Sequence, residues 1–334
     1  MSNKIVIAAL CLILSVPAMS WAGGFCCQMN QGVSEESASG DVSLRLDYSF
    51  SHMSKFVEGG DYVNLSTVQD DPRFRRMRGV VPVTMDMVRY TLYGVYNVTP
   101  KLKVAASIPY VVNDMTMAMF MGGMWHNMKM GTVRDLGDCT VQGAYRVYED
   151  REPMPTTAAY VGVGLKTPTG SATVDENGKR IHAHMQPGTG SWDPYFTASF
   201  MKMVSPALLV SADARYEIAT ENGLGYSFGD TFSVNGNVKY NPFDFLNLGV
   251  NVNYFHSGQS DDPRNNYNGL NSRRLTDFNG YTGEDSIWVA PTVQLLLFKG
   301  FSADFKYQIP VYYHTPDIGF VTDYRAVAGI SYSF

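Results

Sequence analysis

Apolar and polar residues alternate along this chain in about twelve separate runs, and a period of two places successive side chains on opposite faces of a β-strand. The first run sets Val42, Leu44, Leu46, Tyr48 and Phe50 against Ser43, Arg45, Asp47 and Ser49. The second sets Val88, Tyr90, Leu92 and Tyr96 against Arg89, Thr91 and Asn97, and the third carries Leu102, Val104, Ala106, Ile108 and Tyr110. Further runs cover about 140–147, 157–167, 192–203 and 208–217, the last opposing Ser211, Asp213, Arg215 and Glu217 to apolar neighbours. The eighth and ninth, about 232–240 and 246–254, oppose valine, leucine and tyrosine to asparagine and Lys239. A tenth, 287–298, is more evenly apolar, and its facing is not set by the pattern. The eleventh opposes Phe301, Ala303, Phe305, Tyr307 and Ile309 to Ser302, Asp304, Lys306 and Gln308; the twelfth ends the chain on Ile330-Ser331-Tyr332-Ser333-Phe334.

The connections alternate in length. Short ones fall at 97–100, 149–155, 204–206, 241–244 and 298–300; long ones at 51–81, 113–134, 168–191, 219–229, 257–285 and 314–321. This rhythm predicts an all-β fold: a transmembrane antiparallel up-and-down β-barrel of about 12 strands, with short periplasmic turns and long extracellular loops. A soluble sandwich would carry polar residues on its exposed face. A wall in lipid must instead be oily outside, and it must close, because unpaired backbone groups find no water there. Tyr48, Tyr96, Tyr110, Tyr145, Tyr240, Tyr254 and Tyr332 stand at run ends, as an aromatic girdle at the headgroups requires. The expected location is the outer membrane of a Gram-negative bacterium, with outer-membrane lipid as a partner. The terminal Phe334 resembles the signature that barrel-insertion machinery recognises.

Composition narrows this further. Only 17% of the 334 residues are charged, and the net charge of -5 speaks against a nucleic-acid partner. Mean hydropathy is -0.13, as expected where lipid-facing and lumen-facing residues average out. Residues 1–22 read as a secretory signal: Lys4, an apolar core from Ile5 to Val16, Pro17, and a small-x-small site at Ser20-Trp21-Ala22. Residues 23–40 then form a periplasmic or lumenal segment with the adjacent Cys26 and Cys27, and 41–334 form the barrel. Cys11 leaves with the signal, so three cysteines remain, an odd number that rules out a disulfide scaffold. Cys139 shares the parity of Val141, Tyr145 and Val147, the lipid face. The stretch from Cys27 to Asp41 reaches at most ~46–50 Å, far enough to cross the barrel only by threading its lumen.

Inward positions carry Arg45, Asp47, Arg89, Arg146, Asp213, Arg215, Glu217, Lys239, Asp304, Lys306 and Arg325. Their mixed signs fit either the lining of a narrow water channel or an ion-pair network that fills the barrel; twelve strands lie between filled and open sizes. Asp138, before the fourth strand, reads either as a mouth-lining group or as a bracket for the loops.

Three motifs add a resemblance. Asp135-Leu136-Gly137-Asp138-Cys139-Thr140-Val141-Gln142-Gly143-Ala144-Tyr145-Arg146 is followed by Val161-Gly162-Val163-Gly164-Leu165-Lys166-Thr167-Pro168-Thr169-Gly170 and Pro187-Gly188-Thr189-Gly190-Ser191-Trp192-Asp193-Pro194. In order and spacing they resemble the outer-membrane transporter family of the phenol meta-pathway degradation type, over about residue 80 to the end. The resemblance implies passage of small, often hydrophobic or aromatic molecules through the outer membrane; no cofactor is expected, the alternative being a copper-type soft metal ion.

The second long connection departs from that pattern. Met115, Met117, Met119, Met121, Met124, Met128 and Met130 crowd around Trp125 and His126. Thioether and imidazole suit a copper-type soft metal ion, to which Cys26 and Cys27 would add ligands. The same methionines also suit an adaptable apolar constriction or binding patch. A third reading is incidental loop composition. Catalysis is not expected: His256-Ser257 is the sole hydrolase-like pair, and sequence neighbours on a strand face opposite ways. The functional expectation is a passive channel for small molecules; the alternatives are a soft-metal barrel and a structural barrel with a closed lumen.

Overall fold

A computed structural model describes residues 41–75, 79–151, 155–176, 179–261, 282–298 and 300–334. The expected signal, the 23–40 segment with Cys26 and Cys27, and most of the fifth long connection lie outside the described residues. The elements are β1 (Val42–Gly59), β2 (Asp61–Val63), α1 (Leu65–Asp70), β3 (Val80–Asn97), β4 (Leu102–Met121), β5 (Met124–Leu136), β6 (Thr140–Glu149) and β7 (Thr157–Lys166). There follow β8 (Asp175–Glu176), β9 (Lys179–Arg180), a 3-10 turn (Ala183–Met185), β10 (Asp193–Ser205), β11 (Leu208–Glu217), β12 (Thr231–Phe243), β13 (Leu246–Ser257), β14 (Glu284–Phe298) and β15 (Phe301–Ser333).

Eleven of these elements run in one antiparallel sheet, β15-β14-β13-β12-β11-β10-β7-β6-β4-β3-β1, and β1 pairs back onto β15 to close it. β2 edges β1 and β5 edges β4 outside that circuit. The element β15 doubles back on itself. Its first half pairs with β14 and its second half with β1. Ser302 Oγ meets Ser331 Oγ at 2.7 Å, and the Ser333 N–H donates to the Gly300 carbonyl at 2.8 Å. The eleven elements therefore cross the wall twelve times, as the alternation predicts.

Facing follows parity. Leu44, Leu46, Tyr48, Leu92, Ile108, Val163, Val250, Leu295, Phe305 and Ile330 all lie exposed on the outer surface. On β14, whose facing the pattern leaves open, Ser286, Trp288, Ala290 and Gln294 are buried while Val293, Leu295 and Leu297 are exposed. At the short-turn end, rings gather: Phe243 stacks on Phe245 and Phe298 on Phe301, beside Tyr332 against Phe334.

Two expectations need correction. Tyr48 and Tyr110 do not end their strands, because β1 and β4 run on for another eleven residues each. The 113–134 stretch is likewise not a loop but the upper part of β4, a turn and β5. Gly122 and Gly123 both take positive φ, 60° and 86°, between the paired Met121 and Met124. That is the conformation a two-residue hairpin turn demands.

Candidate functional site

The lower interior is a set of paired charges held by rigid strands. Arg45 lies 2.6 Å from Asp47 on its own strand and reaches over the second half of β15 to grip Asp304 with two nitrogens, at 2.5 and 2.9 Å. Arg146 meets Glu149 at 2.8 Å and donates to the Tyr160 hydroxyl at 3.1 Å. Arg215 pairs with Glu217 and lies over the Tyr195 ring. Asn235 donates to Asp213 at 2.8 Å. Lys239 and Lys306 are buried on the same inner surface. Arg325 donates to Ser51 Oγ at 2.9 Å beside Trp288, whereas Arg89 opens to water. These charges form several local clusters rather than one ring.

Further out, the wall turns inside out. Tyr48, Tyr90 and Tyr110 are register partners on three neighbouring strands. Five residues beyond each of them, Met53, Met85 and Met115 are register partners in turn. At a rise of about 3.3 Å per residue, the methionine row stands roughly 16 Å along the strands from the tyrosines. Parity is unchanged, but its chemistry is exchanged. Outward positions here are His52, Ser54, Asp86 and Asp114, with His52 on Asp86 at 2.6 Å and Thr132 donating to Asp114 at 2.7 Å. Inward positions form an apolar cluster of Val80, Met85, Met115, Met117, Val133, Ile181 and Met185, with Met53, Met87, Met119 and Met130 against it. A wall standing above the headgroups faces water, so burial favours oily residues inside and polar ones outside.

The connection 167–192 fills this upper interior. Ile181 and Met185 pack among the inward methionines, and Asn113 donates to the Met185 carbonyl at 3.2 Å. On its other side, Tyr226 packs on Ala183 and Phe228 meets the His184 ring edge-on at 5.7 Å. His184 is exposed to water on one side, while protein crowds the rest of its ring. That crowding is what holds its imidazole down at about 4, so it is neutral at physiological pH.

The three resemblance motifs converge on a clasp at the root of this connection. The Asp138 carboxylate accepts the Gly170 N–H at 2.9 Å, the Thr189 N–H at 2.6 Å and the Thr189 hydroxyl at 2.8 Å. Gly137, Gly170 and Gly188 bring three backbones together. A Cβ on Gly170 would sit 2.8 Å from both the Gly137 carbonyl carbon and the Gly188 Cα, so no larger residue fits without movement. Beside the clasp, Lys166 joins Asp193 at 2.8 Å and Glu217 at 2.6 Å. The Asp138 carboxylate is thus bonded to both ends of the connection. Lys166 and Asp193 stand inside the second and third motifs, whereas His182 lies outside all three and lacks a sequence signal, since its Met115 partner is supplied by another strand.

Of the predicted soft ligands, Met115, Met117, Met119 and Met130 join the inner cluster, while Met121, Met124 and Met128 are exposed toward the hairpin tip. His126 pairs with Met119. Cys139 is a free thiol. His256 Nδ1 lies 2.8 Å from Asp285, and the Ser257 hydroxyl donates to the Gly258 carbonyl.

A closed antiparallel wall, oily where lipid would touch it and charged within, defines a transmembrane β-barrel of the outer-membrane type. More narrowly, the chain belongs to the family described as "Putative MetA-pathway of phenol degradation", whose profile matches residues 44–312. Among solved structures it is similar to the COG4313 outer membrane channel from Pseudomonas putida F1, with 12% identity and a TM-score of 0.61, over 92% of this chain and 100% of that one. It also aligns with the CymD monoaromatic hydrocarbon channel at 10% identity and a TM-score of 0.43, covering 89% of this chain and 88% of that one. The KdgM porin aligns at 9% identity and a TM-score of 0.40, over 87% and 99% of the two chains. At such identities the likeness concerns the fold. No curated protein sequence matches the chain.

Proposed function

We propose that this protein is a passive channel for small molecules in the outer membrane of a Gram-negative bacterium, and that it favours hydrophobic or aromatic solutes. The observation that carries this reading is the methionine-lined upper interior placed above a charged lower lumen. Partly buried Met53 and Met87 stand at the edge of this packed interior; a hydrophilic solute gains nothing against such thioethers, whereas an apolar one leaves water favourably there. Unbranched, polarizable methionines adapt to varied ring shapes. The family description and the channel named for its likeness in fold support the same reading. Solute entry into proteoliposomes tests it. The native barrel is expected to pass phenol-sized aromatic compounds several-fold faster than sugars of equal mass. Changing Met53 and Met87 together to Ser should erase that preference. Equal entry of both solute classes through the native barrel would refute the selectivity, and absence of any conductance in planar bilayers would leave a closed structural barrel.

A further inference from the structure

The β4–β5 hairpin carries a chemistry that solute passage does not use. Its register sets Met117 opposite Met128, Met119 opposite His126 and Met121 opposite Met124. Directly opposed residues point to the same side of a sheet. One face of the hairpin is therefore a ladder of thioethers with an imidazole among them, running from the exposed Met121 and Met124 to the buried Met117 and Met115.

At the foot of the ladder, His182 Nε2 stands 3.3 Å from Met115 Sδ. Both side chains are almost sealed from solvent, each 1% exposed. Met85, Met117 and Met185 pack in the same cluster as Met115. If one ion held an imidazole nitrogen at about 2.0 Å and a sulfur at about 2.3 Å, with tetrahedral angles, the two ligand atoms would stand about 3.5 Å apart. The observed pair is close to that spacing before any ion arrives. As it stands the contact has the length of an imidazole–thioether hydrogen bond, which holds the two atoms side by side within the cluster.

The ligand set also states which ion. Thioethers are soft donors that suit Cu(I), and imidazole accompanies them readily. Among the described residues, no group of three or more His, Cys, Asp or Glu gathers that could hold a metal. A divalent ion would thus find no such group of carboxylates or thiolates to hold it, whereas a soft monovalent ion needs little negative charge.

We propose that His182 and Met115 form the core of a binding site for a soft monovalent cation, Cu(I) or its analogue Ag(I), completed by thioethers of the surrounding cluster and reached along the Met–His face of the hairpin. Met115 belongs to the wall and His182 to the 167–192 connection, so the ion would also tie that connection to the wall. The proposal is independent of the solute preference above.

The test uses the full barrel in detergent with its cysteines alkylated, so that thiols do not compete. Ag(I) titration by calorimetry, and Cu(I) titration under anaerobic conditions against a chromophoric chelator, should show one tight equivalent. X-ray absorption should show nitrogen and sulfur together around the metal. Met115→Leu, a volume-conserving change, should weaken affinity at least about tenfold, and His182→Gln should remove the nitrogen signal; losses of about 10–100-fold are usual even for supporting partners of a metal ligand. Met121→Leu with Met124→Leu should slow loading but leave equilibrium affinity unchanged. Affinity of Met115→Leu within twofold of the parent, or a metal shell without nitrogen in the native barrel, overturns the site. Should His182→Gln fail to fold, the Met115→Leu affinity and the native absorption spectrum decide alone, and solute entry measured without metal stays informative either way.

Discussion

The barrel is two half-walls built on the same strands. Below the Tyr48–Tyr90–Tyr110 row, residues of one parity are oily and face outward while the other parity carries Arg45, Asp47, Thr91 and Lys103 inward. Above it, the outward parity carries His52, Asp86 and Asp114, and the inward parity carries Met53, Met85 and Met115. Between the two rows β1, β3 and β4 keep continuous register with one another. The solvent outside changes from lipid to water, and the side chains change places to suit it. The lower half is closed around ion pairs and the upper half around apolar volume, so the two should break under different substitutions.

The largest effect is expected below. Arg45→Ala would leave Asp47 and Asp304 buried without their shared cation, and loss of one partner of a buried pair costs about 3–5 kcal/mol. Urea unfolding in micelles measures it; a loss under about 1 kcal/mol would mean that water, not Arg45, solvates the pair. Next comes the upper half, where volume should matter more than charge. Met115→Ala is expected to cost about 2–4 kcal/mol, within the usual range for a buried methionine, while Met115→Leu should cost under about 1.5 kcal/mol. Equal costs for the two would show that the cluster is loosely packed.

Asp138→Asn weakens charge-assisted hydrogen bonds, each worth about 1.5–3 kcal/mol. Its effect should be local: faster protease cleavage within 171–186 and higher single-channel conductance, with the urea midpoint unmoved. A shifted midpoint with unchanged cleavage would assign Asp138 to the wall instead of the clasp. Acid gives a smaller effect on the same connection. His184 titrates at about 4 in place, below the ordinary histidine value of 6.5. Between those values a released connection takes up a proton that the docked one refuses, so docking weakens as pH falls from about 6.5 toward 4 and is unaffected above. Cleavage should quicken over that window in the native barrel and stay flat in His184→Gln. Smallest of all, Met121→Leu at the exposed tip should fall within about 0.5 kcal/mol, as surface changes do.

Most of the wall was legible in the chain. Leu44, Leu46, Tyr48 against Arg45 and Asp47 is a pattern only a one-sided strand satisfies, and its repetition set the strand number and the facing of every run but the tenth. The upper half was harder to read for a definite reason. In Met115, Met117, Met119 and Met121 the same period continues, but the outward residues Thr116, Ala118 and Phe120 break the oily-or-polar contrast that marks a strand in lipid. The Gly122-Gly123 pair between alternating flanks was the signal of a hairpin there. Asp138 could be read as a bracket, but its partners Gly170 and Thr189 lie 32 and 51 residues away.

By itself the sequence determined the alternation, the lengths of turns and connections, and so a closed wall with a charged interior, because a period of two admits a single distribution of side chains between two faces. Tertiary structure alone decided that three distant motifs meet in one clasp, that the 167–192 connection enters the mouth, and that His182 comes to rest on Met115. Those contacts join strands through space, and nothing in local periodicity encodes which residues a closing sheet will bring together.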